Sequence, residues 1–197
     1  MRCLMCGKLM EEGGGILDAV FRDDPLCASC RNEWHRYEGK REVNGIRVHA
    51  LYQYSDGFRR ALLQYKECGD EALRDIFLIP HAARLRLRYH GYTLVLMPST
   101  EHKRKQRGFD HLEGMFACLK LPCISPFEKT LQADQKLYSR AQRRNMEHGI
   151  VLKPGITLPK KILLADDVIT TGSTLRGALA AIRPEEHCIR ILTAGSA

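Results

Sequence analysis

Alternating stretches of strand-like and helix-like hydrophobic pattern run along this chain. Residues 46–54 carry β-branched, aromatic and apolar side chains in rough alternation, which predicts a strand. Phe58, Ala61, Leu62 and Tyr65 follow at the spacing that places apolar side chains on one face of a helix. The first third of the chain therefore predicts a strand followed by an amphipathic helix.

The same alternation continues to the end of the chain. The predicted elements, in order, are a second amphipathic helix over 73–77, a strand over 92–97, a polar basic loop over 98–108, a helix over 109–121, a strand over 162–165, a helix over 175–182 and a strand over 188–192. Strands that alternate with helices favour an α/β fold, with a mostly parallel twisted sheet flanked by helices. Ligands of such sheets gather at the carboxyl ends of the strands.

The amino-terminal part differs because it contains regularly spaced cysteines. Cys3 and Cys6 form one Cys-x2-Cys pair, and Cys27 and Cys30 form a second, which is the spacing of a tetrahedral zinc site. Four thiolates close the coordination shell, so we expect a structural or recognition role for the zinc. Four free thiols in a loose arm are the alternative. The other four of the eight cysteines share no such spacing and are expected to be small buried apolar residues.

A short polar segment separates the cysteine-bearing part from the rest of the chain. We expect a zinc finger over residues 1–36, a polar linker, and one larger domain over residues 43–197. No apolar run is long enough for a spanning helix, and the amino terminus lacks the apolar region of a secretory signal. The sequence therefore predicts a cytoplasmic protein with no membrane span.

Positive charge is concentrated in part of the chain, which has a formal net charge of +8. The members of this basic belt are Arg84, Arg86, Arg88, Lys103, Arg104, Lys105 and Arg107. A clustered positive charge attracts pyrophosphate, nucleotides or a nucleic acid backbone. A solvated face that only aids solubility is the alternative.

The most informative segment follows the predicted strand at 162–165. Asp166 and Asp167 place two carboxylates at the strand end, which we expect at Ala165, and such carboxylates need hydroxyls or a hydrated metal as partners. Residues 170–174 then supply the hydroxyl and glycine positions Thr170, Thr171, Gly172, Ser173 and Thr174. The first free amides of the next helix make this turn a potential phosphate site. An ordinary turn and helix cap is the alternative.

Residues 162–174 resemble the signature of type I phosphoribosyltransferases over its full length. The resemblance implies that Asp166 and Asp167 bind the ribose hydroxyls of phosphoribosyl pyrophosphate and that residues 170–174 bind its 5′-phosphate. It also implies magnesium on the diphosphate. Lys103, Arg104 and Arg107 follow the strand at 92–97, where related enzymes hold their pyrophosphate loop.

The order of the two motifs resembles the ComF family of bacterial late-competence proteins along nearly the whole chain. The supporting residues are Tyr52, Tyr54, Asp56, Lys66, Gly69, Asp70, Arg107, Gly108, Phe109, Gln135, Leu137, Arg143 and Asn145, with Arg140 as a substitute for Arg143. After Phe109 many relatives have Asn-Gln, whereas this chain has Asp110 and His111, which adds a negative charge beside the expected pyrophosphate.

The resemblance to the ComF family implies a role in DNA uptake during natural transformation, with single-stranded DNA and other competence DNA-uptake proteins as partners. Basic residues of the cysteine-bearing part, with Trp34 and Tyr37, would offer a surface for bases, although these two rings could equally pack against the larger domain. Two other functions stay open at this point. One is an active phosphoribosyltransferase with an unknown acceptor, and the other is a non-enzymatic zinc-dependent factor that recruits a protein.

Overall fold

The computed structural model describes residues 1–10, 24–99, 101–129 and 149–197, with the backbone alone for residues 101–103. Its main feature is a six-stranded sheet in the order β1-β2-β8-β7-β3-β4. The strands are β1 (Glu42–Val43), β2 (Ile46–Gln53), β3 (Thr93–Leu96), β4 (Cys123–Ile124), β7 (Lys161–Ile169) and β8 (Cys188–Ser196). All neighbours pair in parallel except β1, which runs antiparallel to β2.

A separate antiparallel ladder joins β5 (Phe127–Lys129) to β6 (Ile150–Leu152). The α-helices are α1 (Ala28–Asn32), α2 (Asp56–Glu67), α3 (Ala82–Arg88), α4 (Glu101–Arg107), α5 (His111–Phe116) and α6 (Ser173–Ala181). Short 3₁₀ helices cover Glu71–Ile76, Ile79–His81, Ala117–Leu119 and Pro184–Glu186. The predicted α/β fold with a mostly parallel sheet and flanking helices is confirmed. None of the helices in the described residues has the length and apolarity that crossing a membrane requires.

Several predicted boundaries are wrong for local physical reasons. The 98–108 segment is not all loop, because its Lys, Arg, Gln and Glu residues are good helix formers and build α4. The helix expected over 73–77 is a 3₁₀ helix, confined between Gly69, at a φ of +71°, and Pro80. The helix expected from Phe109 begins at His111, because Asp110 caps it by accepting hydrogen bonds from the Leu112 and Glu113 amides.

The two central strands are also longer than predicted. β7 continues through Ile169 rather than ending at Ala165, and β8 continues to Ser196. Their ladder extends to the pair Ile169 and Ser196, so each strand supplies the backbone partners for the other's extension. Aspartate is uncommon in strands, so residues 166 and 167 do not predict one. Hydrogen bonds to β8 keep them in a strand nevertheless.

The hydrophobic core includes a residue from the cysteine-bearing part. Trp34 is 5% exposed, and its ring centroid lies 5.1 Å from that of Tyr52, 5.0 Å from that of Phe58 and 5.6 Å from that of Phe77. Of the two roles considered for Trp34, a surface for bases or packing against the larger domain, the structure shows the packing. The boundaries at 36 and 43 stay a prediction.

The prediction that the remaining cysteines are buried is wrong. Cys68, Cys123 and Cys188 are exposed, and Cys118 is half-buried. The three exposed residues lie at the ends of elements, after α2 and at the starts of β4 and β8, where a side chain is not enclosed by neighbouring turns or strands.

Candidate functional site

The connectivity of the sheet creates a crevice beside β7. After β3 the chain moves outward to β4, and it later returns to place β7 on the other side of β3. Such a reversal of strand order leaves a crevice outside the carboxyl ends of the strands. A cavity of about 200 Å³ occupies it, lined on the β3 side by residues 97–99 and on the β7 side by residues 166–168. We call it the carboxyl-edge cavity.

Both aspartates line this cavity even though β7 is unbroken. The two carboxylates therefore do not need the strand to end at Ala165 in order to line one cavity. β3 ends at Leu96, which pairs with Ala165, whereas β7 continues beyond it. In the described sheet, residues 166–169 pair with β8 on one side and leave the other side of β7 open. Side chains from both faces of the strand can therefore border this open edge.

Asp167 is surrounded by hydrogen-bond donors. Its Oδ2 accepts from Lys66 Nζ on α2 and from His111 Nε2 at 3.2 Å, and its Oδ1 accepts from the Val168 amide at 2.6 Å. Its exposure is 7%. Burial opposes ionisation, but the His111 hydrogen bond and the Lys66 charge outweigh it and hold the pKa of Asp167 well below its usual range. Asp167 is therefore a compensated carboxylate.

The contacts of His111 identify its tautomer. Arg107 NH1 lies 3.2 Å from His111 Nδ1, and a guanidinium only donates, so Nδ1 accepts and carries no proton. Nε2 therefore carries the proton and donates to Asp167. The Arg107 side chain, 7% exposed, also forms an ion pair with Glu67 at 3.2 Å. The chain Glu67, Arg107, His111 and Asp167 fixes one wall of the cavity.

Asp166 has the opposite environment. Its Oδ1 accepts from the Asp167 amide at 3.0 Å, and no described cation forms an ion pair with it. Burial, together with the neighbouring Asp167 charge, raises the pKa of Asp166 to about 8. An uncompensated carboxyl group of this kind is suited to accept hydroxyl groups or a cation.

The hydroxyl-rich turn lies against Asp166. A cleft of about 30 Å³ is bordered by Asp166, Val168 and Ile169 and by the turn residues Thr170, Gly172, Ser173 and Thr174. Thr174 also lines the carboxyl-edge cavity. Thr171 is exposed, and its hydroxyl donates to Ser173 Oγ at 3.2 Å and accepts from the Ser173 amide at 3.4 Å. One carboxylate and the turn therefore share a concave surface at the start of α6.

Gly172 gives this turn its shape. Its φ of +76° lies in the left-handed region, and it directly precedes α6. A Cβ atom there would lie 3.3 Å from Val43 Cγ2. The backbone conformation thus favours glycine, and a side chain at this position would also crowd Val43 of β1.

The predicted pyrophosphate residues are placed unequally. Arg107 lines the carboxyl-edge cavity, whereas Arg104 is 54% exposed and lies 3.6 Å from Asp110. The Lys103 side chain lies outside the described residues, as do Gln135, Leu137, Arg140, Arg143 and Asn145. The Asp110 charge is therefore taken up by its helix cap and by Arg104 rather than facing the cavity alone.

Three lining residues were missed as site residues from the sequence, namely Lys66, His111 and Lys129. Lys66 and His111 lie 101 and 56 positions from Asp167, and the motifs in which they occur do not indicate that either residue contacts Asp167. The signal that could have indicated Lys66 is the position of a lone lysine at the carboxyl end of an amphipathic helix that follows a strand.

Two curated proteins are similar to this chain over most of its length. The competence protein ComFC of Streptococcus pneumoniae is 27% identical over 199 aligned positions, covering 89% of this chain and 90% of the relative. ComFC of Bacillus subtilis is 25% identical over 180 positions, covering 89% and 75%. The chain is a homologue of the ComFC competence proteins.

A solved structure is also similar to this ComFC homologue. Orotate phosphoribosyltransferase from Aeropyrum pernix aligns with 15% identity and a TM-score of 0.34, covering 92% of this chain and 94% of that one. No family model matches the sequence.

The four predicted zinc ligands of the ComFC homologue come together. The sulfur atoms of Cys3, Cys6, Cys27 and Cys30 lie within 4.8 Å of one another, and those of Cys6 and Cys27 are 3.7 Å apart. Four sulfurs placed about 2.3 Å from a tetrahedral zinc ion would be about 3.8 Å apart. The donor set and its spacing therefore fit a structural zinc ion, with no ligand position left for a substrate.

The basic belt of the ComFC homologue is divided by the sheet. Arg84, Arg86 and Arg88 belong to α3, which precedes β3, whereas the second group belongs to α4, which follows β3. A strand separates the two groups, so they lie toward opposite ends of the parallel strands. The basic belt predicted as one cluster therefore consists of two separate groups in the fold.

Proposed function

We propose that this ComFC homologue binds phosphoribosyl pyrophosphate in the carboxyl-edge cavity and acts in the cytoplasm, with single-stranded DNA, in DNA uptake for natural transformation. Its relatives support a competence role. The observation that supports this ligand is that Asp166 and the hydroxyl-rich turn border the same concave surface. A vicinal diol beside a phosphate is the chemistry that this surface fits.

The turn would receive the 5′-phosphate. The amides at the start of α6 have no partner within the helix, and they carry the positive end of its dipole. Thr170, Ser173 and Thr174 add hydroxyl donors, and Gly172 lets the backbone approach the phosphate closely.

The aspartates would divide the work of binding the ribose. Asp166 accepts hydrogen bonds from the ribose hydroxyls through its carboxyl oxygens, since no described cation forms an ion pair with this group. Asp167, held by Lys66 and His111, supports the position of Asp166 through the rigid end of β7. Asp167 is thus fixed by its protein partners, whereas Asp166 is available to bind a ligand.

The diphosphate would extend toward the cations of the cavity wall. Lys66, Arg107 and Lys129 all line the space that Asp166 borders. Their charges would offset a strongly anionic group at this position. A magnesium ion would supply charge neutralisation on the diphosphate, and the carboxyl oxygens of Asp166 are hard donors of the kind that this ion prefers.

Zinc in the four-cysteine cluster would have a structural role. The pair of knuckles contains α1 and directly precedes Trp34, so the metal would anchor the segment that delivers this ring to the core. Other competence DNA-uptake proteins would be partners of the exposed surface.

Isothermal titration calorimetry of the full chain with phosphoribosyl pyrophosphate and magnesium tests the ligand. We expect saturable binding by the wild type, and its loss when Asp166→Ala and Asp167→Ala are combined. Glu185→Gln removes an exposed carboxylate from the 3₁₀ helix before β8, at the opposite end of the parallel strands, and serves as the control. A folded wild type that produces no binding heat would contradict the proposal.

A further inference from the structure

A second and larger cavity lies at the other end of the sheet. It has a volume of about 680 Å³ and is lined by the starts of β2 and β8, by the end of α3 and by the segment before β3. The parallel strands begin here, whereas the carboxyl-edge cavity lies where they end. We call it the amino-edge groove. Its volume is within the range of about 300–1,000 Å³ that ligand sites occupy.

Three arginines give this groove its charge. Arg47 and Arg190 each lie one residue before the parallel pair Val48 and Ile191, so they are side by side on neighbouring strands. Adjacent strands are about 4.8 Å apart, and like charges in such positions repel each other. Arg88 adds a third exposed guanidinium from the end of α3.

Few of the described residues offset these charges. None of the three arginines forms an ion pair with a carboxylate in the described ranges. Glu38 is the acidic residue that lines the groove, so the lining retains an excess of positive charge. Burial and the charges of Arg88, Arg84 and Arg47 lower the pKa of His49 to about 4, as a positive local potential would.

Aromatic rings also line the groove. Tyr37 and Tyr92 line the groove and are half-buried, so part of each ring is available to a ligand. Tyr92 is supported from behind by Tyr89, at 5.9 Å between centroids and 82° between planes. Tyr89 is in turn fixed by a 2.8 Å hydrogen bond between its hydroxyl and His49 Nδ1. The Tyr92 ring is therefore held in place before any ligand arrives.

We infer that the amino-edge groove binds single-stranded nucleic acid, with Arg47, Arg88 and Arg190 on its phosphates and Tyr37 and Tyr92 stacking its bases. This inference rests on the proposed function, which includes single-stranded DNA, and it assigns that partner to a surface separate from the carboxyl-edge cavity. A positively charged groove that also presents aromatic faces is the arrangement that proteins use for single strands.

The groove fits a single strand better than the other anions. A free phosphate would use the arginines and leave the tyrosine rings without a function. A duplex keeps its bases stacked on one another, so the rings could not reach a base face. An acidic peptide would satisfy the charges but would gain little from planar rings compared with a base.

Fluorescence anisotropy of a labelled oligothymidylate of about 20 nucleotides, titrated with the full zinc-loaded chain, tests the inference. Combining Arg47→Gln and Arg190→Gln should weaken binding about 10-fold or more and reduce the slope of log affinity against log salt by about 1.4. Combining Arg59→Gln and Arg183→Gln removes the same charge from exposed positions outside the groove and should change affinity less than about 3-fold.

Substitutions of Tyr92 separate stacking from charge. Tyr92→Leu should weaken oligothymidylate binding by about 5-fold to 150-fold, whereas Tyr92→Phe keeps the ring and should bind within about 3-fold of the wild type. Calorimetry with phosphoribosyl pyrophosphate should give wild-type affinity for all the groove variants, since none of them changes the carboxyl-edge cavity.

The outcomes distinguish the two proposals. Tight wild-type binding that the groove variants leave unchanged would overturn the placement in the groove while leaving single-stranded DNA as a partner. A wild type that does not bind oligothymidylate would overturn the partner itself and the groove with it. Poly-L-glutamate that competes as effectively as oligothymidylate would show that charge alone is recognised, and this too would overturn the inference.

Discussion

Asp166 and Asp167 are neighbours in the sequence, yet the fold gives their charges different surroundings. Asp167 faces Lys66 and His111, and Asp166 faces the turn. Only the identity of the two acids could be predicted from the sequence, because the compensating groups come from helices far away along the chain. The asymmetry leaves Asp166 without an ion pair in the described residues, and it has consequences for stability.

Replacing Asp166 with asparagine should stabilise the protein at alkaline pH. The folded-state pKa of about 8 lies above the unfolded value of about 3.9, so the folded state binds more protons between these values and wild-type stability falls as pH rises through this window. Asp166→Asn removes that loss and should raise the unfolding free energy by on the order of 1–2 kcal/mol at pH 8. Urea unfolding from pH 5 to pH 8.5 measures it. A difference that does not grow with pH would contradict the assignment.

Removing the cation beside Asp167 should have the opposite effect. Lys66→Met leaves a carboxylate that is 7% exposed without its ion pair, at a cost of about 2–3 kcal/mol near neutral pH. Because the pKa of Asp167 is lowered in the fold, this contribution is present above the unfolded pKa and is lost as pH falls below about 4.

A double-mutant cycle with Asp167→Asn isolates the Lys66 interaction. We expect the combined variant to be destabilised by less than the sum of the two single variants, as urea unfolding at pH 7 would show. Strict additivity would mean that the two side chains do not interact.

At the scale of elements, hydrophobic periodicity predicts where secondary structure lies better than where it ends. The four apolar residues 162–165 identify β7 correctly, but its last residues are set by pairing with β8, which a local pattern does not contain. The polar helix α4 has no apolar face to reveal it, and helical propensity alone accounts for it. The turn before α6 is predicted well because its conformation depends on Gly172.

Gly172→Ala tests the link between this turn and the ligand. Alanine at a φ of +76° should lower the unfolding free energy by about 1–2 kcal/mol. Gly155→Ala is a matched control, since Gly155 has a φ of +75° and an added Cβ would meet no described atom within 4 Å. Thermal unfolding should show a loss in both, and calorimetry should show weaker phosphoribosyl pyrophosphate binding for Gly172→Ala alone. Equal affinities for the two variants would separate the turn from the ligand site.

At the scale of the whole molecule, the cysteine-bearing part and the sheet share one core. Arg31 forms an ion pair with Asp24 at 2.6 Å, donates to the Ile76 carbonyl at 2.8 Å, and lies 4.6 Å from the Trp34 ring centroid. The spacing of the cysteines predicts the metal cluster but not this attachment, because an aromatic residue after a knuckle suits a free surface as well as a core. A zinc ion bound to the four cysteines would therefore link metal binding to the stability of the fold.

Zinc removal should therefore loosen the entire core. Trp34 is the single tryptophan of the chain, so its fluorescence reports this contact directly. A thiol-modifying reagent, used together with a chelator, would release the zinc. This treatment should shift Trp34 emission to longer wavelength and lower the midpoint of a single thermal unfolding transition. Unchanged emission and midpoint after complete zinc release would contradict a shared core.

The most direct measurement is a crystal structure of the full chain soaked with phosphoribosyl pyrophosphate and magnesium. We expect the 5′-phosphate against the amides of residues 171–174 and the ribose hydroxyls on Asp166, with the diphosphate directed toward Lys66 and Arg107. A ligand bound elsewhere, or an empty carboxyl-edge cavity in crystals where that crevice is open to solvent, would contradict the account.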